Sequence, residues 1–181
     1  MTIYAISDLH LSGENVTKPM DIFGEGWEGY IEKIQKDWDA SVGEDDIVLI
    51  GGDISWAMYL EDAQPDLDFI GRFKGAKILV RGNHDYWWKS ISGVRAALSV
   101  GTYALQNDSI RLDRVVICGT RGWTVPEPTG IAEEISSQED NSYKNSAENL
   151  KIYNREVERL RLSLKDAAAK RKDSVRPFAS P

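Results

Sequence analysis

Three short apolar runs, Ile3–Ile6, Ile47–Ile50 and Lys77–Val80, are rich in β-branched residues, and each leads into polar residues of metal-binding type. Runs this short, apolar on both faces, predict buried strands of a parallel sheet. Helical spacing lies between them. Trp27, Tyr30, Ile31, Ile34 and Trp38 recur on one face, and so do Leu60, Ala63, Leu67, Ile70 and Phe73, with Pro65 tolerated near the first turn. Ser90–Leu98 carries a weaker helical pattern. This βαβαβ order predicts right-handed crossovers and ligands at the carboxyl ends of the strands.

The strand ends carry the chemistry. The first run continues as Ser7-Asp8-Leu9-His10; residues two apart on an extended strand point to the same side, so Asp8 and His10 are expected to meet one cation. The second continues as Gly51-Gly52-Asp53, a carboxylate beside glycines that let backbone and ligand approach closely. The third continues as Gly82-Asn83-His84-Asp85, which offers an amide oxygen, an imidazole and a carboxylate. Each piece alone is a weak signal. Together they are strong, because both histidines of the chain fall in these segments and adjacent parallel strands gather the three ends on one rim. Mixed oxygen and imidazole donors suit Mn, Fe or Zn better than Ca.

Beyond the third strand, Thr102–Leu105 and Ser109–Cys118 read as further strands, and residues 125–145, with Pro126, Pro128 and Gly130, read as a long loop. A helix is predicted over Ser146–Lys170, its stripe of Leu150, Tyr153, Val157, Leu160 and Leu164 packing against a sheet. Residues 171–181 lack periodicity and read as a disordered tail after a single domain over residues 1–170. The net charge of −7 disfavours extended nucleic-acid or anionic-lipid binding, and bound divalent cations would offset it locally. No apolar run approaches the roughly 18 residues of a membrane span, and the start lacks a basic segment, so no signal peptide is expected. A single cysteine, Cys118, excludes an internal disulfide and fits a reducing compartment such as the cytoplasm; the end of an apolar strand makes it a core residue.

Asp8-x-His10, Gly52-Asp53 and Gly82-Asn83-His84-Asp85 resemble, in order, the first three signatures of calcineurin-like metallophosphoesterases. The longer stretches from Gly52 to Ala57, Gly82 to Trp88 and Gly119 to Trp123 are similar to one bacterial branch of predicted phosphohydrolases. The resemblance implies an α/β fold, a two-sheet β-sandwich flanked by helices. It also implies hydrolysis of a small phosphomonoester or phosphodiester by a metal-activated hydroxide at a dinuclear centre. Within that site, Asp8 and His10 would bind the first metal, Asp53 would bridge the pair, Asn83 would bind the second, and His84 would donate a proton to the leaving group or stabilise the transition state.

The sequence also departs from the family pattern. The family supplies further histidines from later strands, and none follows His84 here, so three ligands have no match. The first metal would keep Asp8, His10 and Asp53, and the second only Asp53 and Asn83. The expectation that follows is a fold lacking its last strands, cut after about Lys170, with weak metal binding and self-association through an exposed sheet edge. Gly52-Asp53 is followed by Ile-Ser-Trp rather than Asp-Arg-Gly, and His84 by Asp85 rather than Glu, which discounts the Ser/Thr protein phosphatase branch. Softer candidates are Arg121 for the substrate phosphate, Asp85 as a residue orienting a neighbour, and Trp56, Tyr86, Trp87, Trp88 and Trp123 as an aromatic wall or as rim packing. The competing function is a non-catalytic scaffold or remnant that keeps the fold.

Overall fold

The computed structural model of the chain describes residues 1–13, 20–125 and 146–172. They form two compact units, Met1–Gln106 and Asn107–Pro181.

In the first unit, β1 (Ile3–Ile6), β2 (Ile47–Ile50), β3 (Ala76–Leu79) and β4 (Thr102–Ala104) make a parallel sheet in sequence order. Ile3 pairs with Ile47, which pairs with Ala76, and Lys77 pairs with Thr102. The predicted β1 and β2 match residue for residue, and β3 begins one residue early. One expectation fails at β1: it is an edge strand among the described residues, Ile3 is 48% exposed, and only alternate residues are partly covered. Both-face burial holds for β2 and β3, where Ile47, Val48, Ile50, Ile78 and Leu79 are all buried.

The crossovers carry α1 (Tyr30–Ser41), α2 (Leu60–Gly71) and α3 (Ile91–Ala97). Trp27 lies outside α1, in a short 3-10 turn over Glu25–Trp27, because Gly29 in the left-handed region (φ 59°) separates the two. Trp38 and Val42 join Val48, Ile50 and Leu79 of the sheet, Leu67 and Ile70 of α2, and Val94 of α3 in one apolar core. Trp38 stacks on Phe73 at 4.8 Å and donates from its indole N–H to the Lys74 carbonyl. The C-terminus of α2 is closed from the sheet: buried Lys77 donates from Nζ to the carbonyls of Phe73 (2.6 Å) and Gly71 (3.4 Å).

The second unit contains an antiparallel hairpin, β5 (Ser109–Leu112) and β6 (Val115–Cys118), turned at Asp113 with φ 50°, and the helix α4 (Ser146–Lys172). The predicted single strand Ser109–Cys118 is thus two. Cys118 is half-buried rather than core. The predicted packing face of α4 is only partly right: α4 lies against β5 and β6 as expected, and Tyr153 and Val157 are half-buried, but the rest of the stripe is not. Glu156 and Ser163 are the buried positions, while Leu150, Leu160 and Leu164 of the expected stripe are 45%, 39% and 51% exposed. Polar bonds anchor the helix instead. Asp166 accepts from the Ser109 N–H (2.8 Å) and hydroxyl (2.7 Å), and Ser163 accepts from the Gly119 N–H and donates to the Asp108 carbonyl. Lys170, with Ser109, draws the Asp166 carboxyl down to about 2. The expected loop over 125–145, save Val125, and the expected tail beyond Lys172 lie outside the described residues. Among the described residues no helix is long and apolar enough to cross a membrane.

Candidate metal centre

The loops that leave β1, β2 and β3 converge at the carboxyl ends of their strands. The first two are laced together by backbone: Asp8 N–H donates to Gly52 O (3.0 Å), His10 N–H to Asp53 O (2.9 Å) and Leu11 N–H to Ile54 O (2.9 Å). Strand alternation, expected to point Asp8 and His10 to one side, does not operate here. β1 ends at Ile6, and both residues sit past it in the left-handed region, Asp8 at φ 59° and His10 at φ 44°. Asp53 adopts the same conformation at φ 51°. Non-glycine residues take this region rarely and at a cost, and such residues cluster at functional sites.

The loops after β2 and β3 touch at glycine. A Cβ on Gly52, whose φ is 104°, would lie 2.5 Å from Gly82 Cα, and a Cβ on Gly82 would lie 2.0 Å from Asp53 Oδ1. Two side chains cannot share this space, so the two glycines let Asp53 approach the Gly82–His84 turn. Asp53 then grips that turn: Oδ1 accepts from the His84 backbone N–H and Oδ2 meets His84 Nδ1, both at 2.9 Å. With Asp53 as the carboxylate, Nδ1 must be the protonated nitrogen, because the carboxylate only accepts.

One ligand atom from each of His10, Asp53 and His84 lies within 4.8 Å of the others. Asp8 stands beside this group, its Oδ1 3.8 Å from His10 Nε2 and its Oδ2 accepting from the Ser7 hydroxyl; its side chain is 57% exposed. Asn83 is exposed, its amide nitrogen 3.2 Å from His84 Nδ1. The grouping therefore differs in detail from the one the resemblance implies, since His84 stands among the donor atoms. His10 and Asp53 are buried, and His10 packs flat on Trp56 at 4.4 Å. His84 is more open and meets Tyr86 edge-on at 6.3 Å.

Of the aromatic wall, Trp87 and Trp88 are core residues, Trp56 and Tyr86 face the site histidines, and Trp123 belongs to the second unit. Trp56 also borders a cleft of about 540 Å³ with Met58, Tyr59, Glu61 and Asp62 on its wall. Beneath it lies Asp66, which accepts from the Ser55 hydroxyl (2.6 Å) and the Gly13 N–H (2.8 Å) and ties the loops after β1 and β2 to α2. Burial raises its carboxyl above the usual range. Sequence reasoning missed Asp66 because nothing in the helical pattern of α2 marks it. Arg121 lies in the second unit. Its Nε is 3.4 Å from Oε1 of buried Glu156, which also faces Arg155 and Arg159, and its guanidinium stacks on Trp123 at 4.5 Å.

The family model described as calcineurin-like phosphoesterase matches residues 1–173. The chain belongs to the calcineurin-like phosphoesterase family. A parallel sheet, a second antiparallel sheet and flanking helices agree with membership of that family. No curated protein matches the chain. A solved structure described as a protein of unknown function, AQ665 from Aquifex aeolicus, is similar at 21% identity with a TM-score of 0.43, over 87% of this chain and 75% of that one.

Calcineurin-like phosphoesterases are metal-dependent hydrolases as a family, and the residues present fit a divalent cation. His10 Nδ1 is buried and has no hydrogen-bond partner among the described residues. A buried polar atom left so is costly, and a cation is a partner that would satisfy it. Imidazole nitrogens and a carboxylate oxygen are the donors expected for Mn, Fe or Zn.

Proposed function

We propose that the site holds a divalent cation and hydrolyses a small phosphomonoester or phosphodiester. The observation that carries this reading is the convergence of one donor atom each from His10, Asp53 and His84 within 4.8 Å, in a site where His10 Nδ1 is buried and has no partner among the described residues. Asp8 and Asn83 flank these donors as further oxygen ligands, and two ions is the complement the family pattern implies. A bound cation supplies Lewis acidity toward a phosphoryl oxygen and lowers the pKa of water. The protein's own part is positional and acid–base. Asp53 holds a proton on His84 Nδ1 and fixes the ring, which leaves Nε2 one of two roles: ligand to the cation, or, with His84 off the cation and doubly protonated, donor of a proton to the departing oxygen.

A second reading is a non-catalytic family member that keeps the fold. The sequence holds two histidines in all, and both are already used, so the donor set is short. Elemental analysis after Mn loading and dialysis, with assays on an aryl phosphate and a bis-aryl phosphate, separates the two. The proposal expects about one retained ion per chain, because the donor set limits a second site. It also expects slow Mn-dependent hydrolysis that Asp53→Asn abolishes. His84→Ala should lower the rate at saturating Mn, and any parallel loss of Mn affinity assigns His84 to the ligand set. Retained Mn without hydrolysis favours the non-catalytic reading, and hydrolysis untouched by Asp53→Asn overturns the site.

A further inference from the structure

Asp85 is fully buried, and its carboxylate gathers five N–H donors. Oδ2 accepts from Asp53 N–H at 2.9 Å and Gly82 N–H at 2.7 Å. Oδ1 accepts from Ile54 N–H at 2.8 Å, Ser55 N–H at 3.3 Å and the Trp87 indole N–H at 3.0 Å. These donors belong to two separate loops. Asp53, Ile54 and Ser55 follow β2, while Gly82 opens the turn after β3 that carries Asn83 and His84. One side chain thus clamps together the loops whose meeting places Asp53 against His84.

We propose that Asp85 is the positioning residue of the metal centre. Its bonds to the Asp53, Ile54 and Gly82 N–H groups hold Asp53 in its left-handed conformation and set the Gly82–His84 turn against it. The inference rests on the cation reading of the site and deepens it. Asp85 touches neither cation nor substrate and acts through Asp53 and His84. The physical case is the donor inventory. Every partner is an N–H, so both oxygens must accept, and burial leaves no water to replace a lost acceptor. Burial holds the Asp85 carboxyl above its ordinary value, and the N–H donors offset only part of that rise. An amide cannot replace it: in either orientation its NH₂ meets at least two N–H donors head-on.

Asp85→Asn is the test, read by Mn(II) affinity and by hydrogen exchange of the His84 amide, which donates to Asp53 Oδ1. The expected result is a loss of Mn affinity of about 10–100-fold, the scale for removing a group that orients ligands. Faster exchange at His84 should accompany it, with the Leu49 amide of β2 unchanged. Leu67→Ala, a core truncation on α2, serves as the control for general destabilisation and should leave Mn affinity intact. Where Asp85→Asn does not fold, Trp87→Phe removes a single donor and should lower Mn affinity a few-fold. Wild-type affinity and wild-type His84 exchange in Asp85→Asn overturn the proposal, as does an equal loss of affinity in Leu67→Ala. Absence of Mn binding in the wild-type protein would overturn the cation reading instead, and the His84 exchange would still decide the role of Asp85.

Discussion

Asp53 binds His84 twice, through the backbone N–H at Oδ1 and through the ring Nδ1 at Oδ2, each at 2.9 Å. The two residues are far apart in sequence and come from different loops, so this double contact defines the geometry of the site. It fixes the imidazole by its backbone and its ring at once, which leaves the ring little rotational freedom. The ring contact engages an oxygen that would also serve a cation, which is how one carboxylate can both orient a histidine and act as ligand.

The approach of these loops depends on Gly82. A Cβ there would fall 2.0 Å from Asp53 Oδ1 and 2.2 Å from Asp53 N, so Gly82→Ala must push Asp53 aside. The expected result is a destabilisation of about 1–3 kcal/mol, the range for overpacking. Mn affinity should fall at the same time. Gly26→Ala, where a Cβ would meet nothing within 4 Å, should change neither. Chemical denaturation and Mn titration of the two variants check this, and normal Mn binding by Gly82→Ala would contradict the geometry.

Glu156 anchors the second unit. Its carboxylate faces Arg121, Arg155 and Arg159 and accepts from the Thr120 hydroxyl at 2.8 Å, all while buried. Removing one partner from a buried ionic group costs about 3–5 kcal/mol, so Glu156→Ala should destabilise the protein on that scale. Glu158, on the same helix, pairs with Arg161 in the open, and Glu158→Ala should cost at most about 1 kcal/mol. Urea unfolding of the pair measures the difference, and similar midpoints would mean that Glu156 carries no such load.

Asp66 makes stability depend on pH. Its carboxyl is raised in the folded state, chiefly by burial, from the ordinary 3.8. Below 3.8 both folded and unfolded chains hold the proton, and this group costs nothing. As pH rises from there through the folded-state value, the unfolded chain releases the proton first, and stability falls. Asp66→Asn mimics the neutral acid and can still accept from Gly13 and donate to Ser55. It should therefore be at least as stable as wild type at pH 7, and the gap should close as pH drops to 4. Denaturation midpoints at the two pH values check the sign, and a variant less stable at pH 7 than at pH 4, relative to wild type, reverses it.

The parallel sheet was legible in the sequence because its strands are local signals. Ile47–Ile50 is a compact apolar run, and four consecutive apolar residues, three of them buried, leave little choice of structure. The candidate ligands were legible for the same reason: each stands within a few residues of a strand end. The edge position of β1 was not legible, since pairing partners and coverage are set by distant segments. Nor was the face of α4. Its leucines form the stronger apolar stripe, but the face that packs carries Glu156 and Ser163, whose polar atoms find partners at Thr120, Gly119 and Asp108. Hydrophobic periodicity counts only apolar burial and cannot foresee a face held by satisfied polar groups.

The sequence by itself determined which residues could bind a cation and that parallel strands would carry them to one rim. It did so because strand formation and donor chemistry are properties of short segments. Only the tertiary structure decided how they meet. Asp8, His10 and Asp53 turn through left-handed backbone rather than along a strand, Gly52 and Gly82 yield the space, and buried Asp85 binds the two loops into one frame. Those contacts join residues some thirty positions apart, as Asp53 and Asp85 are, and contacts at that separation exist only once the chain has closed on itself.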